Sequence, residues 1–284
     1  MRRTALVALG ASVAVLIGSV TAAAAPAPVP SPRHGWRSVH LVTPPPVGAV
    51  VDYQLGGAYP PAADVRVVTR DRTDAPAPGT YGICYVNAFQ TQPGETAWWT
   101  AHHPDLLLRD RAGHLVGDPD WPGEYLLDVR TPAERAALLR IVGDWFDGCA
   151  RSGYRAIEPD NLDSWTRSHA QLTRDQGLAF AALLVQRAHA RGLAVAQKNA
   201  AELGSLGRTR VGFDFAVAEE CQVYDECGVY LAAYGAHVIE IEYTDTPRAG
   251  YTAACSARGA RVSVLLRDRE VVPRGAAGYV FEHC

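Results

Sequence analysis

The sequence lacks the short motifs that mark several common enzyme classes. No Gly-x-Gly-x-x-Gly occurs, which removes the phosphate-cradling turn of a dinucleotide-binding sheet and argues against a doubly wound open sheet. None of the nine His stands in His-Glu-x-x-His or His-x-His spacing, and His102-His103 is a lone pair in a loop, so no metal site is expected. Gly-x-Ser-x-Gly is also missing, and with it the nucleophile elbow of a serine hydrolase. Charge of one sign is not in excess: 27 Lys and Arg against 30 Asp and Glu leave a net charge of -3. The arginines are scattered rather than striped, so nucleic acid is not an expected partner. No cofactor is expected.

What is present begins with an export signal over residues 1–25. Met1-Arg2-Arg3 is basic, Thr4 to Val20 is an uncharged apolar run, and Ala22 to Ala25 offer small-residue cleavage sites. The run is at the short limit for a membrane span and is followed by Ala and Pro rather than a basic stop, so cleavage and secretion are expected rather than anchoring. Residues 26–46, rich in Pro and Ala, suit an extended linker. Residues 47–284 then form one domain, since no second Pro/Gly/Ser-rich stretch divides them, and a monomer is expected. Six Cys in an exported chain point to disulfides. Spacing alone suggests Cys221 with Cys227 and Cys255 with Cys284; Cys84, inside an apolar run, is expected to be a buried free thiol.

Eight β-branched or aromatic runs recur at residues 49–54, 65–70, 81–87, 154–160, 194–199, 215–220, 237–243 and 261–267, most followed by a stretch of helical spacing. Runs apolar nearly throughout suit parallel strands covered by helices, and the expected fold is a (β/α)8 TIM-type barrel. Helices are predicted over 132–151, with Thr131-Pro132-Ala133-Glu134 as a capping box, and over 173–191, ending at Gly192. Strand-like pieces at 125–129 and 279–282 exceed the count of eight. Residues 89–124 form a long segment bearing Trp98, Trp99 and Trp121, read as a functional loop whose tryptophans stack on sugar faces or anchor local packing.

Polar residues gather at the C-terminal ends of the predicted strands, the catalytic face of a barrel. They are Asp52 and Gln54, Tyr85 and Asn87, Asp128 and Arg130, Glu158, Asp160 and Asn161 with Asp163, Lys198 and Asn199, Glu219 and Glu220, and Glu242 and Tyr243. Any one of these can be a structural hydrogen-bonding group; their convergence points to chemistry, because like charges gathered without a task only repel. Glycoside hydrolysis needs two carboxyl groups across the scissile bond. Asp160 ends the fourth strand and Glu219 the sixth, and alternate barrel strands point side chains into one layer. Lys198, on the strand between, either reaches sugar hydroxyls with Asn199 or forms a salt bridge with Glu158 or Asp160. Only one of the adjacent Glu219 and Glu220 can face the pocket.

The stretches Asp52-Tyr53-Gln54-Leu55, Ile83-Cys84-Tyr85-Val86-Asn87, Leu127-Asp128-Val129-Arg130, Glu158-Pro159-Asp160-Asn161-Leu162-Asp163, Ala188-His189, Lys198-Asn199, Glu219-Glu220-Cys221 and Glu242-Tyr243 resemble the endo-α-1,4-polygalactosaminidase family, glycoside hydrolase family 114. The resemblance runs in order from about Val51 to Tyr243 and more loosely to Cys284. It implies a TIM-like barrel hydrolysing α-1,4-linked galactosamine polymers, with Asp160 at the nucleophile position and Glu219 at that of the acid/base. The implied substrate contacts come from the polar residues quoted above. Glu220 stands where the family often has Gln. A retaining reaction would hold the two carboxyls about 5–5.5 Å apart, an inverting one about 6.5–9.5 Å.

Overall fold

A computed structural model describes residues 41–284. The expected signal segment and all but the last six residues of the expected linker lie outside the described residues. Eight parallel strands run in sequence order: β1 (Val51–Gln54), β2 (Val67–Asp71), β3 (Tyr81–Asn87), β4 (Ala156–Asp160), β5 (Ala194–Lys198), β6 (Phe215–Glu219), β7 (Val238–Tyr243) and β8 (Ser263–Arg267). A ninth, β9 (Phe281–His283), pairs antiparallel with β8. Phe281 of β9 packs against the cluster of Val65, Val68 and Ala77, so β9 lies at the seam between β8 and the first two strands. Arg267 Nη1 donates to the Tyr53 carbonyl and Gly56 N to the Val271 carbonyl, 3.2 Å, which draws β1 and β8 together. The result is a nearly closed TIM-type barrel.

Side-chain alternation divides the core in two. Val51, Tyr53, Ile83, Ala156, Ala194, Ala196, Phe215, Val217, Ile239, Ile241 and Leu265 fill the barrel interior. The residues between them, such as Cys84, Val86, Ile157, Val195, Ala216, Ala218 and Val264, pack outward with the helices. A period of two makes this split inevitable once one residue of each strand faces inward.

The helical layer is less regular than the strands. No helix separates β1, β2 and β3. The segment after β3 holds α1 (Thr96–His102) and a run of antiparallel bridges that includes Leu107 with Leu127 and Gly117 with Tyr125, so residues 125–129 belong to this insertion rather than to the barrel. α2 (Pro132–Ser152) begins at the expected capping box: Thr131 Oγ1 accepts from Glu134 N at 3.2 Å, and Glu134 Oε2 accepts from Thr131 N at 2.8 Å. α3 (Arg174–His189) starts the same way at Thr173 and Gln176. α4 (Cys227–Tyr234) and α5 (Arg248–Arg258) follow β6 and β7.

Disulfides join Cys221 to Cys227 and Cys255 to Cys284, as the spacing suggested, but Cys84 is not free. Its outward-facing sulfur on β3 meets Cys149 of α2 and bonds to it. Residues of the expected linker's end lie on the barrel: Tyr81 donates to the Thr43 carbonyl at 2.6 Å, and Val42 packs against the interior cluster.

Candidate active site

The inward positions that are apolar at mid-strand turn polar at the C-terminal ends. Tyr53 of β1, Tyr85 of β3, Glu158 and Asp160 of β4, Lys198 of β5, Glu219 of β6 and Tyr243 of β7 all share the parity of the interior cluster. Most of them line one cleft of about 310 Å³, with Asn161, Asn199, Asp118, Asp120, Trp121, Glu124, Asp163, Arg167 and Arg269 around its mouth.

Lys198 is the hub. Its Nζ lies 3.2 Å from Glu158 Oε1, 3.4 Å from Asp160 Oδ1 and 3.4 Å from Glu219 Oε2. It also donates to the Tyr53 hydroxyl at 3.1 Å. Because one ammonium touches both carboxylates, the nearest oxygens of Asp160 and Glu219 are separated by no more than twice that distance. Burial disfavours the Lys198 charge, but Asp160, Glu219 and Glu158 outweigh it and hold the ammonium well above the ordinary lysine range. Burial likewise pushes the Asp160 carboxyl up, yet Lys198 and a 2.7 Å hydrogen bond from Tyr85 leave it below the usual carboxylate range.

Glu219 is held from two sides. Tyr243 donates to its Oε1, and Asn199 Nδ2 donates to its Oε2 at 2.9 Å while Asn199 Oδ1 accepts from the Glu219 backbone N–H at 2.9 Å. The residues just past these strand ends, Asn161, Asn199 and Glu220, take φ values of 64°, 48° and 57°. This left-handed step turns the chain off the strand at once, and Asn tolerates it better than most residues. It also sends Glu220 away from Glu219: Glu220 pairs with Arg269 at 2.7 Å, so Glu219 is the glutamate that faces the cleft. Arg269, stacked 4.1 Å over the Tyr243 ring, is further tied to Asp245 at 2.9 Å.

The opposite rim comes from the insertion after β3. Arg167 binds Asp118 at 2.6 Å, Asp163 at 2.8 Å and Asn161 Oδ1 at 2.7 Å, which joins the rim to the end of β4. Glu124 accepts from Asn87 and Gln90, both at 3.0 Å, and burial raises its carboxyl despite those donors. Trp121, half exposed at 52%, is the one of the three insertion tryptophans that lines the cleft. Trp99 is buried against Trp145, and Trp98 stacks on His102 at the surface.

Several residues expected to contact substrate do not line the cleft. Asp52 and Gln54 have the outward parity of β1 and are fully buried in a network with Tyr59, Arg70 and Arg267. Glu242 is outward on β7, where it accepts from Gln222 N at 3.1 Å and burial raises its carboxyl to about 7. Asp128 and Arg130 pair with each other inside the insertion. Polarity after an apolar run marks all five; on β1 and β7 the alternation of side chains turns Asp52, Gln54 and Glu242 outward, while Asp128 and Arg130 follow a run that is not a barrel strand. Glu158 has the inward parity but sits beneath Lys198, wholly buried. His189 Nε2 donates to Asp214 Oδ2 at 2.8 Å, on the outer side of β5.

Two compositional signals would have singled out this site. Lys198 is the only lysine in the chain, and Asn87, Asn161 and Asn199 are its only asparagines. All four meet here. Among the described residues, the group with metal-ligand spacing is Cys221, Cys227 and Glu240, and its two sulfurs are joined in a disulfide.

Comparison with known proteins bears on this geometry. A family model described as glycoside-hydrolase family GH114 matches residues 36–284. No curated protein matches the sequence. Among solved structures, Ega3 of Aspergillus fumigatus in complex with galactosamine is similar at 22% identity and a TM-score of 0.68, covering 86% of this chain and 98% of that one. The glycoside hydrolase domain of PelA from Pseudomonas aeruginosa is similar at 17% identity and a TM-score of 0.57, covering 80% of this chain and 98% of that one. Both likenesses are of fold.

Proposed function

Since the chain belongs to glycoside hydrolase family GH114 and is a glycosidase, we propose that it cleaves α-1,4-linked galactosamine-containing polysaccharide outside the cell by a retaining mechanism, with Asp160 as nucleophile and Glu219 as acid/base. The observation that carries the reading is the pair of carboxylates at the base of an open cleft, both in reach of one buried ammonium. Lys198 and Tyr85 keep Asp160 ionised, the state a nucleophile requires. Glu219, fixed by Tyr243 and Asn199, gives its proton to the leaving sugar oxygen as Asp160 attacks the anomeric carbon. It then takes a proton from the water that releases the sugar from Asp160.

The rim supports an amino-sugar substrate. Asp118 and Asp163 are paired with Arg167, but Glu124 accepts only from neutral amides, and Asp120 has no cationic partner among the described residues. Carboxylates placed so beside a cleft attract an ammonium group. The likeness to a structure solved with galactosamine points the same way. Three disulfides suit an oxidising compartment.

The test is reducing-end release from an α-1,4-galactosamine polymer, its fully N-acetylated form and a neutral α-glucan, with Asp160→Asn and Glu219→Gln as controls. Release from the amine-bearing polymer, lost in both variants, is expected. Release only from another glycan would overturn the substrate assignment, and tight binding without release would make this a carbohydrate-binding barrel.

A further inference from the structure

Glu158 has no part in the reaction as written, yet it is the most deeply placed charge at the site. It is wholly buried on the inward face of β4, two residues before Asp160, and does not border the cleft. Its Oε1 accepts from Tyr53 at 2.6 Å and lies 3.2 Å from Lys198 Nζ, while its Oε2 has no hydrogen-bond partner. The groups facing it are Tyr53 of β1, Asp160 of its own strand, Lys198 of β5 and Glu219 of β6, with Tyr85 and Tyr243 completing the ring around Lys198. A carboxyl in such a place is costly, and a plain structural acceptor for Tyr53 needs no charge.

We propose that Glu158 is a positioning residue for the two catalytic carboxylates: a third carboxyl beneath them that holds Lys198 in place and, by gaining or losing its own proton, sets how many negative charges that one ammonium must offset. This rests on the reading of Asp160 and Glu219 as the catalytic pair. Burial pushes the Glu158 carboxyl up, against the pull of Lys198 and the Tyr53 hydrogen bond, to about 7. Protonated Glu158 leaves Lys198 to Asp160 and Glu219 alone. Ionised Glu158 adds a like charge to the cluster, which opposes loss of any further proton from it and carries activity to higher pH.

Because Lys198 is the only lysine, protein labelled with 13Cε-lysine gives a single side-chain resonance, read without substrate or assignment. In protein carrying Glu219→Gln, so that the acid/base adds no step of its own, that resonance is expected to move through one step over about pH 5.5 to 8.5, where no ordinary lysine titrates. Adding Glu158→Gln should abolish the step, and Glu158→Gln alone should bring the alkaline limb of the kcat profile down by about half to one pH unit relative to the unmodified enzyme. Tyr53→Phe, which removes a hydrogen bond favouring ionised Glu158, should move the step to higher pH and serves if the first variant does not fold. A flat resonance in the Glu219→Gln protein, a step that persists when Glu158→Gln is added, or one unmoved by Tyr53→Phe would overturn the proposal. The resonance needs no polymer, so failure of the glycan assay and failure of this inference are separable.

Discussion

Lys198→Met keeps most of the side chain's length and removes only its ammonium. Lys198 is 3% exposed, and three carboxylates lie within 3.4 Å of Nζ, so the variant leaves Glu158, Asp160 and Glu219 facing one another with no cation among them. Breaking a buried ion pair from one side typically costs about 3–5 kcal/mol, because the remaining charge is uncompensated. At pH 8 that loss should lower the urea midpoint by roughly 1–2.5 M for a slope of about 2–3 kcal/mol per M. The pH dependence has a definite sign. Without Lys198, burial at Glu158 loses its main opposition, and the carboxyl already raised to about 7 moves further above its unfolded value. Such groups contribute stability at low pH that is lost as pH rises through the raised folded value. The deficit of the variant against the unmodified protein should therefore be small at pH 5 and large at pH 8, measured by urea unfolding at both. Equal midpoints for the two proteins at pH 8, or a deficit larger at pH 5 than at pH 8, would refute the view of Lys198 as the charge that holds the site together.

Trp121→Ala should raise KM for the polymer about three- to tenfold with little change in kcat, the size expected for one lost stacking contact in steady-state kinetics. Glu124→Gln should weaken binding of the amine-bearing polymer more than of its acetylated form. That difference should shrink as salt screens the cleft, in titrations at low and high ionic strength. Thr131→Ala removes the side-chain acceptor that begins α2 and should cost about 1 kcal/mol in thermal or urea unfolding without altering activity.

All eight barrel strands were legible as largely apolar runs because parallel strands buried on both sides carry hydrophobic residues on both faces. The fold followed from their count. The insertion after β3 was not legible: its strand pairs are isolated bridges such as Leu107 with Leu127, and its turns rest on side chains far away in sequence, such as Arg167 with Asp118. At the site, Asp160, Glu219 and Lys198 stood out as polar residues ending apolar strands, but so did Asp52, Gln54 and Glu242, which point the other way. Carrying the inward parity of Tyr53 and Tyr243 along each strand would have separated the two sets. Cys84 was misread because its partner Cys149 lies 65 residues away on a helix, a contact that no local pattern records.

The most direct test of Asp160 and Glu219 as a retaining pair uses Glu219→Gln with an activated galactosaminyl donor whose leaving group needs no protonation. The account predicts that this variant accumulates a covalent glycosyl-enzyme, seen by intact mass and mapped by peptide mass to Asp160, since release of the sugar requires the missing base. An adduct on another residue, or turnover of the activated donor with inverted anomeric configuration and no adduct, would contradict it.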